Sequence, residues 1–136
     1  MDASPAPNLF IAAFAVLHRR QGYEQRRLLA NASRTDPLTG VLNRRGFDER
    51  FQASIDQAER LARPVALVTI DLDSFKQVND RQGHAAGDTV LKLVANGIGE
   101  TVRRMDTVGR LGGDEFGIVL FGSGSDDANR LASTLR

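Results

Sequence analysis

The run Val65-Ala66-Leu67-Val68-Thr69-Ile70 is apolar on both alternations, rich in β-branched residues, and breaks off at Asp71. A strand that is apolar on both faces must be covered on both, which is the pattern of a central strand between layers of helix. That segment restricts the chain to α/β architectures and predicts helices on either side of it in sequence. Asn43 is a natural N-cap, and Phe47, Phe51 and Ile55 then recur every fourth residue, as one buried helix face demands, until Arg63-Pro64 stops the helix. After the strand, Asp73 to Asp80 reads as a short helix and Gly83 to Gly87 as a loop. Asp88 to about Arg103 reads as a helix burying Leu91, Val94, Ile98 and Val102. Gly97 and Gly99 weaken that helix and suggest a close packing contact on it.

A second strand signal, Phe116-Gly117-Ile118-Val119-Leu120-Phe121, follows Arg110-Leu111-Gly112-Gly113-Asp114-Glu115, which reads as a hairpin tip. Gly112 and Gly113 can take positive φ without steric cost and let the backbone approach a ligand. A Gly-Ser loop at 122–125 precedes a last helix, opened by Asp126-Asp127 to the benefit of its N-terminal dipole. The order helix, strand, helix, helix, hairpin, helix predicts an α/β fold with a mixed central sheet flanked by helices.

With 136 residues the chain is one domain's worth of material, and its formal charge of +1 provides no global basic field for nucleic acid. Neither a basic template groove nor an aromatic stacking platform is evident, which disfavours a nucleic-acid partner. The absence of cysteine excludes thiolate metal sites and suits a reducing, cytoplasmic setting; two histidines, His18 and His84, are too few for a zinc cluster.

At the N-terminus, Leu9 to Leu17 is an apolar run followed at once by His18-Arg19-Arg20. A bilayer span needs about 20 apolar residues, so this run alone cannot cross a membrane. It looks like the cytoplasmic end of a longer span, tethering the full-length protein to the membrane, or like a helix that packs on a partner. From Asn8 to about Ser33 only Gly22 interrupts helix-forming sequence, so residues 1–33 read as an apolar connecting or signalling helix able to pair with its own copy. Asp36-Pro37-Leu38-Thr39-Gly40 ends it, and the globular domain occupies 34–136.

Asp71 stands where an apolar strand emerges, the usual place for a ligand in an α/β sheet. Asp73 is better placed to cap the helix that follows. If the hairpin lies beside this strand, Asp71 converges with Asp114 and Glu115, and clustered carboxylates repel unless a divalent cation sits among them. Oxygen donors favour Mg²⁺ or Mn²⁺ over zinc. Lys76 offers a point cation for phosphate, while an acceptor carboxylate at Asp88 beside the Asn79 amide would choose guanine over adenine.

Asp71-Leu72-Asp73-Ser74-Phe75-Lys76-Gln77-Val78-Asn79-Asp80, then Gly83-His84 and Gly87-Asp88, then Gly112-Gly113-Asp114-Glu115-Phe116 together resemble the signature of GGDEF-domain diguanylate cyclases. Asp36-Pro37-Leu38-Thr39-Gly40 with Asn43-Arg44-Arg45 resembles the opening of that domain. The resemblance implies a fold akin to nucleotide cyclases and polymerase palms, and condensation of two GTP into cyclic di-GMP and pyrophosphate in a homodimer. It implies that Asp71, Asp114 and Glu115, with the Leu72 carbonyl, bind two metal ions, and that Asp114 activates the attacking 3'-hydroxyl. Lys76 and Arg110 would meet the phosphates; Asn79, His84 and Asp88 would hold the nucleotide. Arg103-Arg104-Met105-Asp106 resembles the family's RxxD inhibitory site, where Arg103 and Asp106 bind product. Family members continue for some tens of residues past the helix in which this chain stops, so the resemblance implies a domain lacking its C-terminal part. The rival reading is a non-catalytic module that binds GTP or cyclic di-GMP and passes on a signal; such members usually lose the acidic pair, the metal aspartate or the lysine, all present here.

Overall fold

The computed structural model describes residues 33–135, together with Gln25 and Leu29. The chain divides into two compact units, Met1–Ser33 and Arg34–Arg136. Gln25 and Leu29 are helical and Ser33 is not; the other positions of the expected connecting helix, with the apolar run from Leu9 to Leu17, lie outside the described residues. Among the described residues no helix is long and apolar enough to cross a membrane.

The second unit runs α1 (Arg44–Leu61), β1 (Val65–Asp71), α2 (Phe75–Gln82), α3 (His84–Thr101), β2 (Thr107–Arg110), β3 (Glu115–Phe121) and α4 (Ser125–Thr134). The strands form one sheet in the order β1-β3-β2, antiparallel at both junctions, and a parallel bridge from Leu42 to Gly109 adds to the β2 edge. This is the α/β architecture expected. Among the described residues β3 is hydrogen-bonded on both sides and its five inner residues are buried, while β1 pairs on one side and leaves Leu67 45% exposed. Helix α1 lies over β2 and β3. Its Phe47 packs over Gly109 of β2 and Gly117 of β3, and so leaves the alternation Leu67, Thr69, Asp71 open.

The opposite alternation makes the core. Ala66, Val68 and Ile70 lie across from Leu120, Ile118 and Phe116, and this layer packs on Leu91, Ala95 and Ile98 of α3 and Leu131 of α4. Burying each of the larger side chains contributes about 2 kcal/mol. Asn43 caps α1 as its sequence predicts, its Oδ1 accepting from the Gly46 N–H at 2.9 Å. The glycines under Phe47 are required sterically: a Cβ on Gly109 would lie 2.7 Å from the Phe47 Cβ, an atom fixed to the helix backbone. Gly109→Ala should therefore lower stability by about 1–3 kcal/mol in a denaturant titration, by forcing α1 off the sheet.

Three local expectations change. Gly97 and Gly99 are exposed with open space where a side chain would sit, so they serve no packing contact. The residue before α2 is Ser74, not Asp73, in the left-handed region at φ 61° and without a side-chain cap, because the chain must turn sharply out of β1. The loop expected over 83–87 shrinks to Gly83, whose φ of 87° joins α2 directly to α3. Ala85-Ala86 favours helix strongly enough to start α3 at His84.

Candidate active site

The segments that carry the candidate carboxylates meet because β1 and β3 end together. Asp71 lies directly across the ladder from Glu115, and the Leu72 N–H donates to the Asp114 carbonyl at 3.0 Å. The turn between β2 and β3 is closed by the Leu111 N–H donating to the Glu115 carbonyl at 2.8 Å. Neither Gly112 nor Gly113 adopts the positive φ that glycine permits. Both are exposed, and a Cβ on Gly113 would meet nothing within 4 Å, so glycine supplies access at this turn rather than an unusual backbone angle.

Arg110 holds the turn from inside. Its Nη2 donates to the Gly113 carbonyl at 2.8 Å, and its Nε lies 3.2 Å from the Gly112 carbonyl and 3.3 Å from that of Gly113. Its Nη1 reaches Asp36 Oδ1 and Oδ2 at 3.3 and 3.4 Å. The expectation of Arg110 at the nucleotide phosphates thus meets a guanidinium whose three nitrogens all donate within the protein. Asp36 also accepts, through Oδ2, the Thr39 N–H at 3.0 Å and the Thr39 hydroxyl at 2.6 Å. The same segment is stitched to β2, with the Leu42 N–H donating to the Val108 carbonyl and the Arg110 N–H to the Leu42 carbonyl. Asp36 was thus a structural residue hidden in a motif that the sequence marks only as a turn; the Asp-Pro-Leu-Thr pattern, in which an acidic side chain faces a threonine three residues on, was its signal.

Burial pushes the Asp36 carboxyl up, but the Thr39 hydrogen bonds and the Arg110 guanidinium outweigh it and hold the group below its ordinary value of 3.8. A carboxyl that ionises more readily in the folded chain stabilises it fully above that ordinary value and loses the contribution as the pH falls below it. The stability gap between wild type and Asp36→Asn should be constant between about pH 7 and 5 and close below about pH 4, read from denaturation midpoints.

Helices α2 and α3 bring the remaining candidates together in part. Lys76 is exposed on the first turn of α2, His84 is exposed at the start of α3, and Asp88 is exposed one turn later. Asn79 faces the α2–α3 junction with its Oδ1 buried and without a hydrogen-bond partner. A buried amide oxygen left unpaired costs about 1–3 kcal/mol, the kind of cost kept where a ligand is to be met.

Among the described residues no three acidic or histidine side chains stand close enough to hold a metal ion unaided. The donors at the β1–β3 end are carboxylates and a main-chain carbonyl, all oxygen. Such a set fits Mg²⁺, which is bound through one or two carboxylates and completes its shell with water and substrate phosphate.

The family profile described as "Diguanylate cyclase, GGDEF domain" matches residues 33–136. The chain belongs to the GGDEF-domain family. The probable diguanylate cyclase DgcT of Escherichia coli is 37% identical over 110 residues, covering 81% of this chain and 24% of its own length. The diguanylate cyclase TpbB of Pseudomonas aeruginosa is 43% identical over 109 residues, covering 79% of this chain and 25% of its own. The chain therefore spans about a quarter of these relatives. The crystal structure of the coiled coil and GGDEF domain of DgcB from Caulobacter crescentus in complex with c-di-GMP superposes with a TM-score of 0.73 at 29% identity, covering 95% of this chain and 66% of that one.

In this GGDEF domain the RxxD residues lie at the far end of β3 from the acidic turn. The Arg103 Nη2 donates to the Ser123 hydroxyl at 2.6 Å, to the Phe121 carbonyl at 3.2 Å and to Asp106 Oδ1 at 3.3 Å. Asp106 Oδ2 accepts the Arg103 N–H at 2.8 Å, and the Asp106 side chain is 2% exposed. Six residue steps of strand separate Glu115 from Phe121, about 20 Å. Arg103, half exposed, is the member of the pair that solvent reaches; Asp106 is buried beneath it. Ser123, itself buried, is a partner that the Gly-Ser loop gave no reason to single out.

Proposed function

We propose that the protein carrying this domain is a diguanylate cyclase that condenses two GTP into cyclic di-GMP. The observation that supports it most is the pairing of Asp71 with Glu115 beside Asp114 at the open end of the sheet. Asp71, Asp114, Glu115 and the Leu72 carbonyl would hold two Mg²⁺ or Mn²⁺ ions. When bound, these ions lower the cost of forming an alkoxide and neutralise charge on the α-phosphate and leaving group. Asp114 takes the proton of the 3'-hydroxyl of one GTP. That oxygen bonds to the α-phosphorus of the other GTP, and the bond to the departing pyrophosphate breaks in line. The same exchange in the reverse sense closes the ring and releases a second pyrophosphate. Lys76 offsets phosphate charge, His84 and Asp88 hold the nucleotide, and Asn79 with Asp88 reads guanine.

Each domain presents one GTP, so two copies face each other about a twofold axis. The DgcB structure holds a coiled coil as well as a GGDEF domain, which supports a pairing role for the helix read over residues 8–33. The helix would set whether the half-sites meet, at the inner face of the membrane if the full-length protein is tethered there. Product would inhibit through Arg103, with Asp106 orienting it.

Incubation of the protein with GTP and Mg²⁺ over a range of protein concentrations tests the proposal. Cyclic di-GMP should form at a rate that rises with the square of protein concentration while the dimer is scarce. No product at any concentration would point instead to a sensor that binds GTP or cyclic di-GMP without turnover. In an isothermal titration, Arg103→Ala should weaken cyclic di-GMP binding at least tenfold, the order of about 1.4 kcal/mol or more for lost charge-assisted hydrogen bonds.

A further inference from the structure

The junction of α2 and α3 shows a side chain seated on a missing one. A Cβ built on Gly87 would lie 1.8 Å from Asn79 Oδ1, 2.9 Å from its Cγ and 3.3 Å from Phe75 Cζ. The first distance is far inside any contact, so the Asn79 amide occupies the space that a side chain at position 87 would need. Gly87 is buried, and its backbone is that of an ordinary helix, without the positive φ that marks Gly83 and Gly40. Backbone conformation therefore does not call for glycine here. Alanine would suit a helix better. The volume held by Asn79 does call for it.

We propose that Gly87 is a positioning residue for base selection: by having no side chain, it seats the Asn79 amide deep in the α2–α3 junction, next to Asp88. This rests on the reading of Asn79 as a guanine contact. The physical argument has two parts. Asn79 Oδ1 is buried and unpaired, so the amide is held by shape rather than by a hydrogen bond within the protein. A group held by shape alone moves when the shape is filled. A methyl at position 87 must push the amide out of the junction, since α2 and α3 are joined through Gly83 alone and cannot separate freely around it. Displaced by an ångström or more, the amide no longer meets the edge of a base that Asp88 still contacts. Discrimination then suffers more than binding of the triphosphate, which other residues hold.

Equilibrium titration of the full chain with GTP and with ATP, whose base carries an amine in place of the O6 acceptor of guanine, reads this out. Gly87→Ala should reduce the ratio of ATP to GTP dissociation constants about tenfold, the scale of one lost polar contact, while ATP affinity changes little. Asn79→Ala should reduce the ratio to the same degree. The double variant Asn79→Ala/Gly87→Ala should match Asn79→Ala, because the methyl then has no amide to displace. A wild-type ratio in Gly87→Ala alongside a reduced one in Asn79→Ala would overturn the positioning role and leave the guanine reading intact. A wild-type ratio in Asn79→Ala would overturn both. Thermal unfolding without nucleotide covers the case in which Gly87→Ala folds poorly: the double variant should recover the midpoint of Asn79→Ala, and equal losses in both backgrounds would overturn the seat.

Discussion

Asp114→Asn and Asp71→Asn should each reduce cyclic di-GMP formation by about a thousandfold or more, equivalent to about 4 kcal/mol of transition-state stabilisation. Asparagine keeps the size and one oxygen of each side chain but removes the negative charge that a divalent cation requires. It also removes, at position 114, the group that accepts the hydroxyl proton. The fold should respond in the opposite sense. Asp71 is exposed and opposes Glu115 across the ladder, so neutralising it relieves repulsion between like charges directly facing one another. Thermal midpoints of both variants should therefore equal or exceed that of wild type, as surface changes of this kind stay within about 0.5 kcal/mol. A loss of activity accompanied by a loss of stability would mean that the acidic cluster is a structural feature and not a metal site.

Asp36→Ala should lower stability by about 2–3 kcal/mol and turnover by about tenfold, with little change in the affinity for GTP. The stability cost arises because Arg110 and Asp36 are both mostly buried, at 20% and 15% side-chain exposure, and removing the carboxylate leaves a charged guanidinium with carbonyl partners only. The turnover cost arises because the same guanidinium holds both glycine carbonyls of the turn that carries Asp114. A catalytic carboxylate displaced by a fraction of an ångström loses rate before it loses binding. Comparison of Asp36→Ala, Arg110→Ala and the double variant provides the check. Strong non-additivity in both stability and turnover marks one shared device, and simple additivity would show that the two residues act separately.

Much of this was legible in the sequence, for reasons that particular residues make plain. The helix period of Phe47, Phe51 and Ile55, the cap at Asn43 and the meeting of Asp71 with the acidic turn each follow from local pattern and from strand ends that must coincide. The seat of α1 was not legible. The helix period marks Phe47 as buried, and only the missing side chains of Gly109 and Gly117 decide which strands receive it. The internal engagements of Arg110 and Arg103 were not legible either. Their partners, Asp36 and Ser123, lie 74 and 20 residues away in sequence, and no periodicity connects residues so far apart. The depth of Asn79 depends on an absence, the missing Cβ of Gly87, which composition records only as one more glycine.

The length of β3 has a kinetic meaning. It is the middle strand, hydrogen-bonded on both sides and buried along its interior, so it behaves as a stiff spacer with the acidic turn at one end and Arg103 at the other. A small ligand held by Arg103 cannot also occupy the nucleotide's place. If product acts through that end as proposed, the expected feedback is a lower maximal rate that no excess of GTP restores, a brake insensitive to how full the substrate pool is.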